Sequence, residues 1–232
     1  MARSFSLDTE AAKQANSGGK RITDSGKYVG KITAAWSESY QSGAEAVLLK
    51  FESDQGQEAG PLMMFTHGKD GNTLSGFNMV QAIMTCVQAR SLNPQPGKVE
   101  LYDFDQSKEV VKDKDIYPEL TGKRIGLLLR EEQYTDRDGF LKMRDDGTPK
   151  TRMIIFAPFC AQTERVATEI LERASTPTGL PNMVQWLASN PVKEVKNAKR
   201  EQSGGQYTGG PNDYSNSYVP PADDLDDSIP FN

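Results

Sequence analysis

Residues 27–36 read KYVGKITAAW, residues 44–52 read AEAVLLKFE and residues 61–66 read PLMMFT. Apolar and polar side chains alternate in the first two segments, which is the period of a β-strand with one buried face. Turn-forming sequences rich in Ser, Gly, Asp and Gln separate the three segments. They therefore predict an antiparallel meander of three strands. In the first strand the alternation places four residues on one face: Tyr28, Gly30, Ile32 and Ala34.

The rest of the folded region adds helices and a hairpin. Residues 74–92 predict a helix whose apolar stripe holds Phe77, Val80, Met84 and Val87. Strand patterns return at 123–131 and 151–157, on either side of a charged hairpin, and helical patterns follow at 162–173 and 181–189. Three strands, a helix and a two-stranded hairpin are the element order of an OB barrel, although other small barrels share it. We therefore expect a mainly β fold, a five-stranded OB-like β-barrel with a capping helix and C-terminal helices.

Changes in composition divide the chain into four regions. Residues 1–25 are polar and Gly/Ser-rich, which predicts a flexible N-terminal arm. Residues 26–160 form the predicted OB-like domain, and residues 161–198 form a helical extension packed on the barrel. Residues 199–232 are rich in Gly, Ser, Asn, Tyr and Pro and contain too little apolar surface to fold, so we expect a disordered linker and an acidic tip.

Charge is distributed unevenly along the chain. The formal net charge is -5, but residues 1–200 hold all 27 Lys and Arg and 26 of the 32 Asp and Glu. The last 32 residues hold the other six acids and no basic side chain. This asymmetry is typical of an acidic interaction tail, with a tail that only aids solubility as the alternative.

Residues typical of enzymes are scarce. The single histidine, His67, and the two cysteines, Cys86 and Cys160, are too few for a His-rich metal site or a disulfide framework. The sequence contains neither GxxxxGK[ST] nor a GxGxxG that follows a strand, so no phosphate-binding loop is predicted. Four aspartates fall in predicted turns, where Asp bonds the local backbone: Asp136, Asp138, Asp145 and Asp146. We therefore expect a protein without catalytic residues, metal or cofactor.

The sequence also predicts where the protein resides. The first 21 residues lack an apolar signal region, and no later stretch approaches the roughly 18 apolar residues of a membrane span. We therefore expect a cytoplasmic protein without a membrane partner.

Cations and aromatic residues recur around the predicted first strands and the last hairpin. Single-stranded nucleic acid needs cations along a groove and aromatic faces on which bases stack, and an OB barrel offers its binding face at these places. The predicted DNA-binding residues are Lys27, Lys31, Trp36, Tyr40, Lys50, Arg130, Tyr134, Arg137, Phe140, Lys142, Arg144, Lys150 and Arg152. Trp36 and Phe140 could instead be core residues, and the cations a solvated face. Core positions are expected for Phe51, Phe65, Phe156 and Phe159.

The C-terminal sequence DDLDDSIPFN combines clustered acids with an apolar Ile-Pro-Phe. An apolar group at the end of a disordered tail has no core to join, which indicates a pocket on another protein. Here the chain resembles the bacterial single-stranded-DNA-binding protein family, in its bacteriophage-type form, whose tails end in acids and Ile-Pro-Phe. The resemblance implies a partner-binding role for Asp223, Asp224, Asp226, Asp227, Ile229, Pro230 and Phe231. Asn232 after Phe231 departs from the family pattern.

Together these features predict a protein that binds and protects single-stranded DNA with little sequence specificity. The resemblance implies recruitment of replication, repair or recombination proteins through the tip, in a bacterial cell or a phage-infected host. Self-association on DNA is left open. The alternatives are a strand-annealing or recombination-mediator protein, a scaffold that binds only proteins, and a metal-dependent nuclease.

Overall fold

The computed structural model describes four stretches of the chain: residues 6–7, 21–103, 106–136 and 138–199. The predicted acidic tip and nearly all of the predicted linker lie outside them, as does most of the predicted N-terminal arm. The end of that arm is described, and there Ile22 is only 1% exposed and donates its backbone N–H to the carbonyl of Glu58 at 2.8 Å. The prediction of a flexible arm is therefore wrong for Ile22, which belongs to the core.

A long first strand organises the sheet. β1 (Gly26–Ser39) pairs antiparallel with β2 (Glu45–Ser53), which pairs antiparallel with β3 (Glu58–His67). This confirms the predicted meander. Along its other edge β1 pairs with β6 (Arg124–Gln133) over its first half and with β5 (Lys108–Ile116) near its end. A single strand thus connects both halves of the sheet.

The alternation of β1 reverses part-way along the strand. Its pairing with β2 shifts between Ile32 and Ala34, and such a bulge moves every later side chain to the opposite face. Ile32 and Ala35 both join the main core, whereas Ala34 and Trp36 lie together in another cluster. The prediction that Ala34 shares a face with Ile32 is wrong for this reason.

The first helix packs against the main core. α1 (Ser75–Val87) contacts β2, β3, β6 and β7 (Thr151–Phe159). It contributes Val80, Ile83 and Cys86 to a core that it shares with these strands and β1. Gln88 follows it in the left-handed conformation with φ 57°, and its N–H bonds the carbonyl oxygens of Met84 and Thr85. This cap ends the helix before the predicted residue 92.

The segment from 93 to 121 contains a hairpin that the sequence pattern did not predict. β4 (Gln95–Asp103) and β5 form a nine-residue antiparallel ladder. Val99, Leu101 and Ile116 of this hairpin pack on Trp36 and its neighbours Ala46 and Leu48. Most other positions of β5 are exposed on both faces, so the strand lacks the apolar period by which strands are recognised.

The second half of the fold is built around β6. It pairs antiparallel with β1 and β7 (Thr151–Phe159) and parallel with the short β8 (Val192–Lys193). Leu127 faces the main core and Leu128 faces a second core, which contains Leu180 and Leu187 of α3 (Gly179–Ser189). The last helix thus packs on the sheet, whereas α2 (Ala167–Leu171) is much shorter than the predicted 162–173.

The sheet is open within the described residues. β3 and β7 lie close together, but no hydrogen-bonded ladder joins them there. The fold is therefore mainly β, with an open and largely antiparallel sheet of eight strands and three helices in the described part of the chain, where the sequence predicted five strands. The predicted order of meander, helix and hairpin is present, with the β4–β5 hairpin inserted after α1.

Gly126 lies where β6 meets the second core. A Cβ atom at this position would lie 2.1 Å from the ring of Phe159, which is fully buried. We expect Gly126→Ala to lower the free energy of unfolding by about 1–3 kcal/mol, since the ring must move within a packed core. Urea unfolding measures this difference. Gly68→Ala is the control, because a Cβ there meets nothing nearer than 3.9 Å, and equal losses in both variants would contradict the prediction.

Candidate nucleic-acid interface

Trp36 is a core residue. Only 1% of its surface is exposed, and the β4–β5 hairpin covers it with Val99, Leu101 and Ile116. A base cannot stack on a ring that other side chains already cover, so the prediction of Trp36 as a stacking residue is wrong. The bulge in β1 turns this side chain away from the main core, and the unpredicted hairpin then buries it.

An exposed apolar patch lies beside this hairpin. It consists of Tyr40, Met63 and Phe65, and we call it the aromatic patch. Phe65 is 39% exposed and Met63 is 37% exposed, because both point outward from β3. The rings of Tyr40 and Phe65 lie 5.4 Å apart and tilted by 44°, and the Tyr40 hydroxyl lies 3.4 Å from the sulfur of Met63. Phe65, which the sequence assigned to the core, thus belongs to the surface with Tyr40.

Arg152 brings a positive charge near the aromatic patch. Partial burial raises the pKa of the Tyr40 phenol, Glu38 raises it further, and the charge of Arg152 opposes both effects. Arg152 is the second residue of β7 and binds the carboxylate of Glu132 at 2.6 Å, yet 54% of its side chain remains exposed. β3, which carries Met63 and Phe65 of the aromatic patch, also lies close to β7. The aromatic patch therefore lies on the same side of the fold as the β6–β7 pair.

The chain between β6 and β7 folds back on itself twice. The backbone N–H of Lys142 donates to the carbonyl of Tyr134, and the carbonyl of Lys142 accepts the N–H of Lys150. The chain around Lys142 therefore bonds to the segments on both sides of it. Asp136 accepts the N–H groups of Asp138 and Phe140 at 3.0 and 2.9 Å, and Asp146 accepts that of Thr148 at 2.9 Å. These contacts confirm the predicted turn role of Asp136 and Asp146. Lys142, Arg144 and Lys150 are exposed and form no ion pair within the described residues.

The predicted cations of β1 and β2 do not join this cluster. Lys27 binds the carboxylate of Glu164, and Lys31 binds that of Glu52 at 3.4 Å. Lys50 is half-buried and packs beside Gly60. Because Lys27 and Lys31 lie on β1 and not on the β6–β7 hairpin, and each already pairs with an acid, we do not include them in the candidate interface.

Arg130 fixes the C-terminal segment in place. Its guanidinium lies 4.6 Å from the ring centre of Trp186 and donates to the carbonyl oxygens of Asn190 and Val192 at 2.9 and 3.1 Å. Trp186 in turn stacks on Phe156 with 4.9 Å between the ring centres. The predicted DNA contact of Arg130 is therefore corrected to a structural role, and Phe156 packs against α3.

The remaining predicted residues lie on or near the hairpin. Tyr134 is half-buried, and Phe140 is half-buried with the ammonium of Lys199 at 5.6 Å from its ring centre. Arg137 lies outside the described residues, as do all seven residues predicted for the partner-binding tip: Asp223, Asp224, Asp226, Asp227, Ile229, Pro230 and Phe231. The structure thus places Lys27 and Lys31 on β1 and six of the predicted residues on the β6–β7 hairpin: Tyr134, Phe140, Lys142, Arg144, Lys150 and Arg152.

A segment that the sequence placed in the helical extension, without a role in binding, runs along the same hairpin and contains no helix. Residues 190–199, which we call the C-terminal strap, leave α3, pair with β6 through β8 and end beside the hairpin. Lys199 donates its N–H to the carbonyl of Gly139 at 2.9 Å and forms a bridge with Phe140. The strap is rich in lysine and lacks the alternation of apolar and polar residues that predicts a strand. Its position is therefore known only from its pairing with residues far away in the sequence.

Other kinds of site are not evident in the described part of the chain. No group of three or more His, Cys, Asp or Glu side chains is placed to hold a metal ion there. His67 is half-buried at the end of β3, with its Nδ1 3.2 Å from the hydroxyl of Thr66. None of the described helices combines the length and apolar character needed to cross a membrane.

Comparison of the chain with protein-family models found no match, and comparison with curated protein sequences found none.

Proposed function

We propose that this protein binds single-stranded DNA with little sequence specificity and protects it during replication, recombination or repair. The observation that carries the proposal is the aromatic patch beside the β6–β7 hairpin with its exposed cations. Bases can stack on the exposed ring of Phe65 and on the half-buried ring of Tyr40, while Lys142, Arg144 and Lys150 contact the phosphates. No reactive group or cofactor is needed for this activity.

The strand order supports the same proposal. In an OB fold the face of strands 2 and 3 and the loops after strands 1 and 4 bind oligonucleotides. Met63 and Phe65 lie on β3 and Tyr40 follows β1. The β6–β7 hairpin follows β6, which we assign as the fourth strand of the proposed OB-like fold. We therefore propose an OB-like binding domain in which the β4–β5 hairpin is an insertion.

The acidic tip has a separate proposed role. We assign recruitment of replication, repair or recombination proteins to Asp223, Asp224, Asp226, Asp227, Ile229, Pro230 and Phe231, on the basis of their sequence alone. The proposed setting is the cytoplasm of a bacterial cell or a phage-infected host. Substituting Phe231 by alanine tests whether the tip and the DNA interface act separately, since it should leave DNA affinity unchanged.

A fluorescence-anisotropy titration tests the proposed function. A labelled 30-mer and its duplex are titrated with the full chain at 50 and 200 mM salt. We expect preference for the single strand and affinity that falls with salt, because cations that bind phosphates release counterions. No binding at either salt would refute the proposal and favour a protein-only scaffold. An annealing assay with complementary strands separates a strand-annealing protein from one that keeps strands apart.

A further inference from the structure

The C-terminal strap is held to the β6–β7 hairpin at both of its ends. Arg130 binds the carbonyl oxygens of Asn190 and Val192, and Val192 pairs with Glu131 of β6. At the far end Lys199 bonds the backbone of Gly139 and accepts the N–H of Leu141 at 3.4 Å. The strap is therefore a part of the hairpin surface in three dimensions, although about 50 residues separate the two in sequence.

The strap changes the charge of this surface. Residues 131–152 hold five basic and six acidic side chains, whereas residues 192–199 add three lysines and one glutamate. Arg137 lies outside the described residues, so the described part of the combined surface has seven basic and seven acidic side chains. The strap thus brings the formal charge of this surface from -2 to zero.

The acids of this surface are engaged more often than its cations. Glu132 binds Arg152 and Lys193, and Glu131 accepts the hydroxyl of Thr151 at 2.8 Å. Asp136 and Asp146 accept backbone N–H groups of their own turns. Within the described residues five cations of this surface form no ion pair: Lys142, Arg144, Lys150, Lys196 and Lys199. These side chains are available to a phosphate.

We propose that the C-terminal strap is part of the DNA interface, and that Lys196 and Lys199 bind phosphates of the single strand whose bases stack on the aromatic patch. This inference rests on the proposed function and extends it to residues that the sequence did not assign. Lys199 lies next to Phe140, and Lys142 lies two residues after Phe140 in the hairpin, so the end of the strap brings a lysine close to the hairpin cations. The strap positions these lysines through its backbone bonds, which neutral substitutions of the side chains leave in place.

The double variant Lys196→Gln/Lys199→Gln tests the inference in the full chain. Each phosphate contact on single-stranded DNA contributes about 0.7 to the slope of log affinity against log salt, so we expect the slope to become shallower by about 1.4. The affinity ratio between 50 and 200 mM salt then shrinks by about sevenfold. The matched control is Lys98→Gln/Lys123→Gln, which removes two exposed lysines away from this surface and should keep the wild-type slope.

The outcomes separate this inference from the proposed function. If the wild-type chain binds single-stranded DNA and the strap variant has the same affinity and slope, the strap is not part of the interface, whereas the proposed function stands. If the wild-type chain does not bind, both fail. Equal slope changes in the strap variant and in the control would show a general charge effect and would also overturn the inference. Thermal unfolding of both variants confirms that they are folded, because all four side chains are exposed.

Discussion

Replacing Phe65 by alanine lowers the affinity for single-stranded DNA by roughly 5- to 150-fold. This range corresponds to about 1–3 kcal/mol, the contribution of one base stacked on an aromatic ring. Phe65 is 39% exposed and points outward from β3, so its ring is open to a base in a way that the buried Trp36 is not. A fluorescence-anisotropy titration with a labelled 30-mer measures the loss at constant salt.

Tyr40 belongs to the same patch, and we expect Tyr40→Ala to lower the affinity for single-stranded DNA as well. The two rings touch, so the double variant Tyr40→Ala/Phe65→Ala should lose less than the sum of the single losses. Tyr102→Ala is the matched control, since Tyr102 is 51% exposed on β4, away from the patch. Wild-type affinity in the Phe65 variant, or an equal loss in the Tyr102 variant, would show that the patch does not bind bases.

Substituting Glu169 by alanine lowers the free energy of unfolding by about 3 kcal/mol. Glu169 is only 7% exposed, and its carboxylate accepts the N–H groups of Val166, Thr178 and Gly179 at 3.0, 2.6 and 2.7 Å. It thereby joins the start of α2 to the start of α3. Removing it leaves the buried N–H of Val166 and the part-buried N–H groups of Thr178 and Gly179 without acceptors, which costs more than the bonds themselves contributed.

The expected loss of stability depends on which residue replaces Glu169 and on the pH. Glu169→Gln keeps one acceptor oxygen and should fall between wild type and alanine, whereas the exposed Glu172→Ala should change stability by less than about 0.5 kcal/mol. Burial raises the pKa of Glu169, but the N–H groups of Gly179, Val166 and Thr178 lower it by more, so it lies below its usual value.

A carboxyl group with a lowered folded-state pKa stabilises the fold above its unfolded pKa of about 4.3. This stabilisation is lost as the pH falls through the folded-state pKa. We therefore expect the difference in stability between wild type and Glu169→Gln to be full at pH 7 and to shrink under acid conditions. Urea unfolding at neutral and acid pH measures it. A difference that grows on acidification would contradict the assigned role.

Local sequence patterns predicted the regular parts of the fold well. The meander, α1, the β6–β7 pair and α3 all carry their own period and turn residues, and each is present. Asp136 and Asp146 also make the predicted turn contacts, because an aspartate in a turn accepts hydrogen bonds from backbone groups close to it in sequence. Such signals depend on neighbours in the sequence alone.

The candidate site was predicted less well, because exposure depends on which distant element covers a residue. Trp36 and Phe65 both lie in apolar strands, yet the β4–β5 hairpin buries one and leaves the other open. Glu164, on a separate segment, forms an ion pair with Lys27, and Arg130 donates hydrogen bonds to carbonyl groups of the C-terminal strap. None of these partners can be recognised from local spacing.

The sequence by itself determined the strand and helix types, the turn residues and the acidic Ile-Pro-Phe tip. Only the tertiary structure decided which aromatic rings reach the surface and which cations remain without an acid. It also placed the C-terminal strap beside a hairpin about 50 residues earlier in the chain. The physical reason is that backbone period and turn preference are local properties, whereas burial and ion pairing arise from contacts between segments far apart in the chain.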